Sequence, residues 1–350
     1  MNNLPRLWQG IPGIERTPGG RLYITWFSGG ECEPQPANTI LLTTSDDDGR
    51  TFAEPSVAAL PRPDGGRTFD PTLWIDPRGR LWLIFNRANP ATAEHDVHAR
   101  ICDQPDAPQP VWSAEFRVGY DAPVSFRMNK PTVLATGEWL MPVTHAQVVT
   151  HDWFAHDSQL QGVGLSTDEG RSWMLHGAVV APPKALENML VELRDGRVWM
   201  LTRTGAGVLW ESYSTDRGRT WSPGAPTTIA NPVEPWSGSR FFIRRLASGN
   251  LLLINHYRFT GRSHLTAQLS TDEGRTWNDG LLLDERANVS YPDAVEAADG
   301  LIWAVYDRDR CGAAEILLAT FREADVLAGK PVSAETRLKQ VVSKLRETAA

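Results

Sequence analysis

The chain has 350 residues, 41% of them hydrophobic and 22% charged, with a formal net charge of −7. That acidic balance argues against nucleic acid or an anionic membrane as the main partner. Cys32, Cys102 and Cys311, the 3 cysteines of the chain, are too few and too scattered for a disulfide framework or a zinc site and suit a reducing compartment.

The start, MNNLPRLWQG, has no cationic leader followed by an apolar run, and no stretch approaches transmembrane length. The expectation is a soluble, cytoplasmic protein. From Ile11 onward one pattern repeats, a strand, a glycine turn and a second strand. The copies are IPGIERTPGGRLYITWF, PTLWIDPRGRLWLIF, PTVLATGEWLMPV, NMLVELRDGRVWMLTR, FFIRRLASGNLLLINH and PDAVEAADGLIWAVYD. Their turn glycines, Gly20, Gly79, Gly137, Gly196, Gly249 and Gly300, stand 59, 58, 59, 53 and 51 residues apart. Val, Ile, Leu, Trp and Phe interleaved with polar residues suit short half-buried antiparallel strands.

A second phrase follows the strand pair in units one, three, four and five: SDDDGRTF from Ser45, STDEGRSW from Ser166, STDRGRTW from Ser214 and STDEGRTW from Ser270. The carboxylates of Asp47, Asp168, Asp216 and Asp272 can accept backbone N–H bonds inside such a turn, the glycine tolerates positive φ, and the aromatic buries. These aspartates therefore read as structural, placed between the third and fourth strands of a four-stranded unit. Four strands per unit of about fifty residues, repeated six times, is the arithmetic of a β-propeller.

The fold class expected is all-β, a six-bladed β-propeller over residues 1–330, with a short helical tail at 331–350. In that tail Leu338, Val341, Val342 and Leu345 are spaced in a helical rhythm within Ala334 to Thr348. The stretch around Leu4 to Trp8 is expected to supply a strand to the last blade and close the ring.

In a propeller, residues at the start of each first strand and just after each second strand converge at one mouth, and here those places are polar. Unit one places Gln9, Glu31 and Glu33 there, unit two Arg67, Asp70 and Arg87, and unit three Arg127, Asn129, Lys130 and His145. Unit four places Glu187 and Arg203, unit five Arg240, Arg244, His256, Arg258 and Arg262, and unit six Tyr291, Asp293, Arg308 and Arg310. Arginines gathered in an acidic protein suit a carboxylate or another anionic group, which the guanidinium fork reads well. Arg308 and Arg310, alternating with Asp307 and Asp309, read instead as structural braces.

With these motifs the chain resembles the sialidase (neuraminidase) superfamily, six-bladed propellers that carry such aspartate boxes. The family's glutamate before the fourth-blade strand, with an arginine sixteen residues on, is matched by Glu187 and Arg203. Its late arginine before the last box is matched by Arg262, and its tyrosine after that box by Tyr291. Two places depart from the pattern. Gly10 stands where the family's Arg-Ile-Pro motif has the first arginine of a three-arginine clamp, and Glu33, with Glu31 nearby, stands where the family has an acid/base aspartate. Arg67, Arg127 or Arg240 are candidates to compensate.

The resemblance implies a retaining exo-glycosidase acting on sialic acid or a related carboxylated sugar, with Tyr291 as nucleophile, Glu187 as its base and Glu33 as acid/base. Arg203 and Arg262 would hold the substrate anion and lower the phenol pKa, with Arg240, Arg67, Asp70, Arg127, Lys130 and His256 as further substrate-binding candidates. No cofactor or metal is implied, and the partner is an anionic carbohydrate. Two alternatives stand beside it. One is a uronate lyase using His145, His256, Tyr291 and Arg240, suggested by the histidines of THAQVVTHDWFAHD and INHYR. The other is a propeller that only binds glycans.

Overall fold

The structure, a computed structural model, describes residues 6–89, 91–92, 94–122, 124, 129–146, 159–182, 185–231, 238–259 and 261–345, with the side chains of 145, 146 and 159 excepted. Of the expected site residues, Arg127 lies outside the described residues, as do His151, His156 and the side chain of His145.

Six four-stranded antiparallel sheets are arranged as blades. Blade one is β1 (Gln9–Arg16), β2 (Leu22–Ser28), β3 (Thr39–Ser45) and β4 (Ser56–Ala59); blade two is β5 (Arg67–Ile75), β6 (Leu81–Asn89), β7 (Glu94–Cys102) and β8 (Phe116–Arg117). Blade three is β9 (Thr132–Val133), β10 (Trp139–Ala146), β11 (Gln159–Ser166) and β12 (Met174–Val180); blade four is β13 (Leu186–Glu192), β14 (Val198–Arg203), β15 (Val208–Ser214) and β16 (Ala225–Ala230). Blade five is β17 (Phe242–Arg245), β18 (Leu251–His256), β19 (Leu265–Ser270) and β20 (Leu281–Asp284); blade six is β21 (Val289–Glu296), β22 (Ile302–Arg308), β23 (Glu315–Phe321) and β24 (Arg337–Lys344).

The hydrophobic core lies between blades. Trp74, Trp82, Trp139 and Trp173 fill the space between blades two and three, with Trp74 edge-on to Trp139 at 4.9 Å. Ile14, Ile24, Trp26, Trp303 and Val305 join blades one and six. Each sheet buries its faces against its neighbours, so the ring supplies the core that one small sheet lacks.

The four box turns close as expected. In the first, Asp47 Oδ1 accepts from the Thr51 N–H at 2.9 Å and Asp47 Oδ2 from the Thr51 hydroxyl at 2.6 Å. Asp216 repeats this with Thr220 at 2.8 and 2.6 Å. Gly49, at φ 73°, takes a backbone conformation that side chains disfavour.

Two expectations about the chain ends are corrected. The rhythmic tail is not helical: residues 337–344 form β24, which pairs antiparallel with β23 and carries the propeller past residue 330. An open strand edge offers a row of unpaired N–H and C=O groups, whereas a lone helix of that length is marginal in water. The short helix near the C-terminus is α1 (Glu323–Ala328), between β23 and β24. Nor does the described N-terminal stretch join the last blade, whose fourth strand is β24. Arg6 bridges in parallel to Gly30 of blade one. The ring is latched instead by side chains: Gln9 Nε2 donates to the Ala314 carbonyl at 2.6 Å, and the Ile14 N–H donates to Asp293 Oδ2 at 2.9 Å.

Four inner strands carry a bulge near their first residues, seen as register shifts between Gly10 and Gly13, Phe69 and Thr72, Leu186 and Met189, and Ser290 and Asp293. Within them Ile11, Asp70, Glu187 and Tyr291 adopt φ of 59°, 50°, 61° and 56°. A positive φ costs a non-glycine residue on the order of 1–3 kcal/mol and tends to cluster at functional sites. All four residues precede the hairpin glycine of their blade by nine positions. The bulge turns each side chain out of the alternation of its strand.

Candidate active site

Tyr291 and Glu187 meet through these bulges. The Tyr291 hydroxyl donates to Glu187 Oε1 at 2.7 Å, and one Arg203 nitrogen donates both to Glu187 Oε2 and to the phenol oxygen, each at 2.7 Å. Arg203 closes β14, the strand paired with β13 that carries Glu187. All three side chains are buried.

Three guanidinium groups surround the phenol ring, with their carbons 5.9 Å (Arg203), 5.3 Å (Arg262) and 4.2 Å (Arg310) from its centroid. Arg262 comes from the loop between β18 and β19. Its Nη2 donates to the Gly238 carbonyl at 3.3 Å, and its buried Nε has no hydrogen-bond partner among the described residues. Burial lowers its pKa, Arg310 and Arg203 lower it further, and Tyr291 opposes them.

Arg310 makes the brace contact with Asp307 that the sequence suggests, and it also reaches beyond its own run of charges. Its Nη1 donates to Glu33 Oε1 at 2.7 Å, its Nε to Asp307 Oδ2 at 2.9 Å and its Nη2 to Ser290 Oγ at 3.4 Å. Burial alone would lower its pKa, but Asp307, Glu33 and Tyr291 more than offset that and raise it. Asp307 is fixed in turn by the Ile11 N–H at 2.7 Å and the Ser290 hydroxyl at 2.6 Å. Ser290 escaped the sequence reading, and Asp307 entered it only as a neighbour of Arg308 and Arg310. Arg308 is a brace as expected, bonded to Glu315 at 2.9 Å.

The Tyr291 phenol is pushed up to about 12, chiefly by burial; Arg203 pulls it down, Glu187 pushes it up, and Arg262 and Arg310 pull it down. The arginines thus act in the expected direction, but burial outweighs them. Asp70 is pushed up to about 8, first by burial and then by Glu33, with Arg67 and Arg310 opposing and Glu187 adding. It holds a proton at neutral pH and so offers a hydrogen-bond donor. Arg67 packs over the Phe69 ring at 3.6 Å and feels both Asp70 and Glu33. Glu33, on the loop between β2 and β3, keeps 29% of its side chain exposed and stands at the open edge of the cluster.

The other expected binders lie deeper or are engaged elsewhere. Lys130 hydrogen-bonds the Ile14 carbonyl and lies 3.3 Å from Asp293 and 3.4 Å from Glu15. Arg240 lies 3.7 Å from Asp293. These four buried charges tie blades one, three, five and six together. His256 Nδ1 sits 2.8 Å from the Ser263 carbonyl, next to Arg262, and burial lowers its pKa to about 4, so the ring is neutral. Arg87 is held by Glu115 at 2.6 Å and Arg258 by Asp279 at 2.6 Å. Arg244 points to solvent.

The family model of the BNR repeat-like domain matches residues 20–303. The chain belongs to the BNR-repeat family of the sialidase superfamily. A sialidase from Micromonospora viridifaciens is 26% identical over 327 residues, an alignment covering 85% of this chain and 49% of that one. This BNR-repeat protein therefore spans about half the length of that relative. Among solved structures, the Hadza microbial sialidase Hz136 superposes with a TM-score of 0.74 at 18% identity, over 91% of this chain and 66% of that one. The intramolecular trans-sialidase from Ruminococcus gnavus, in complex with oseltamivir carboxylate, superposes with a TM-score of 0.71 at 14% identity, over 91% and 95%. At such identities the superpositions speak for the fold alone.

Proposed function

We propose that this BNR-repeat protein is a retaining exo-glycosidase that releases a terminal carboxylated sugar of the sialic acid class. The observation that carries this reading is the three-way contact of Tyr291, Glu187 and Arg203 at 2.7 Å each. When the anomeric carbon bears a carboxylate, an anionic nucleophile is repelled, and a neutral phenol beside a base avoids that cost. The Tyr291 oxygen attacks the anomeric carbon while its proton passes to Glu187. Glu33, protonated, gives its proton to the leaving glycosidic oxygen as that bond breaks. The Glu33 carboxylate then takes a proton from water, whose oxygen displaces Tyr291, and Glu187 returns the phenol proton. Phenolate character gained on the way is stabilised by Arg203, Arg262 and Arg310 around the ring.

Uronate elimination is less well supported, because Arg240 faces Asp293 and His256 is tied to its own loop. A panel of chromogenic α-sialosides, uronides and neutral glycosides tests the proposal on the native protein and on Tyr291→Phe and Glu33→Gln. Sialoside turnover lost in Tyr291→Phe is expected. Uronide release untouched by Tyr291→Phe, or glycan binding without any turnover, would replace this reading with elimination or with a binding module.

A further inference from the structure

Gly10 has no side chain, and the space in front of it is filled. A Cβ built at position 10 would fall 2.8 Å from Arg310 Cδ and 2.9 Å from both Arg310 Cγ and Nε. Arg310 lies at the end of blade six, yet its stem runs across the backbone of blade one and delivers a buried guanidinium to within 4.2 Å of the Tyr291 ring centroid. Its Nε and Nη2 are committed to Asp307 and Ser290, which fix the plane of the fork. Its Nη1 is held by Glu33, the most exposed carboxylate of the cluster.

We propose that Arg310, supplied by blade six through the space left at Gly10, is the third arginine that grips the substrate carboxylate, and that Glu33 occupies its binding edge until the substrate arrives. The inference rests on the acidic-sugar reading above and adds to it a residue and an order of events. Two arginines give a carboxylate two anchors, and a third from a different blade fixes its orientation about the axis. An entering carboxylate takes the place of Glu33 on Nη1, so one anion replaces another and the fork is never left buried without a partner. Released from Arg310, the partly exposed Glu33 carboxylate loses the cation that held it as an anion, takes up a proton from solvent and, as the neutral acid, is free to swing toward the leaving oxygen. Only a substrate with the correct anion therefore frees the acid, and a neutral sugar leaves Glu33 paired.

The test is equilibrium binding, by calorimetry, of 2,3-didehydro-2-deoxy-N-acetylneuraminic acid and of its methyl ester, which keeps the shape and loses the charge. The native protein is expected to prefer the acid, and Arg310→Ala to lose about 10- to 100-fold of that preference, with ester binding little changed. Gly10→Arg combined with Arg310→Ala, which returns a guanidinium to the same space, should recover most of it. Glu33→Gln, which removes the competing anion at a partly exposed position, should bind the acid several-fold more tightly and the ester equally. If the native protein prefers the acid and Arg310→Ala keeps the full preference, this inference falls and the acidic-sugar reading stands. If Glu33→Gln weakens acid binding, the exchange is wrong. If the native protein binds neither ligand, both readings fall together.

Discussion

Tyr291 on blade six and Glu187 on blade four are 104 residues apart, with blade five between them, yet the phenol of one donates to the carboxylate of the other at 2.7 Å. Each stands on a β-bulge at positive φ, nine residues before its hairpin glycine. The repeat therefore builds the site by using the same strained position twice with different side chains, and backbone strain at those positions is the cost of aiming both at the axis.

Replacing Tyr291 by Phe removes one oxygen and leaves the 2.7 Å pair of Arg203 and Glu187 intact. Turnover of the best sialoside should fall by about 10³-fold or more, with far-ultraviolet circular dichroism and the urea midpoint nearly unchanged. A loss of less than tenfold would remove the phenol from the chemistry.

Arg203→Met leaves Glu187 buried without its cation. Breaking such a pair costs about 3–5 kcal/mol, so urea unfolding should shift to a clearly lower midpoint. Adding Glu187→Met should regain part of that loss, because two apolar side chains bury more cheaply than one lone charge. Equal stability of the native and Arg203→Met proteins would show that the pair is not desolvated.

Asp70 gives a pH signature. Its folded pKa, about 8, lies above the ordinary value of 3.8, so folding takes up a proton there. The stability it contributes is complete below about pH 4 and is lost as pH rises through about 8. Asp70→Asn, which mimics the protonated acid, should flatten the fall of Tm between pH 5 and 8. An unchanged slope would mean that Asp70 is ionised in the folded protein.

The box aspartates act with the opposite sign. Asp168, Asp216 and Asp272 are held down to about 2 from the ordinary 3.8, by bonds to Ser172, Thr220 and Thr276 and, for Asp216, against the opposing effect of burial. Their stability is present above about pH 4 and disappears as pH falls toward 2. Asp216→Ala should lower stability at pH 7 by about 1–2 kcal/mol and reduce the acid loss, read from thermal melts at pH 2, 3, 4 and 7.

Much of this was legible in the sequence because a repeat states its rule several times. The hairpin glycines marked the blades, the boxes marked the third turn, and the interval from Glu187 to Arg203 followed from one hairpin. What escaped depended on contacts between distant blades. Arg310 sits in a run of alternating charges, and local reading pairs it with its neighbours, as the bond to Asp307 bears out; only the approach of blade six to Gly10 reveals its reach to Glu33 and the Tyr291 ring. Lys130 and Arg240 stand at the mouth by position, but Asp293 and Glu15 hold them in the axis. The tail deceived through its own rhythm, since apolar spacing carries no information about a vacant strand edge elsewhere.

The most direct measurement is to trap the glycosyl group on the protein. A sialic acid analogue carrying fluorine at C2 as leaving group and a second fluorine at C3 to slow hydrolysis should add one glycosyl mass to the intact chain. Peptide mapping should place that mass on Tyr291, and Tyr291→Phe should acquire none. A turning-over enzyme that acquires no adduct, or carries it on a carboxylate instead, would contradict the tyrosine nucleophile.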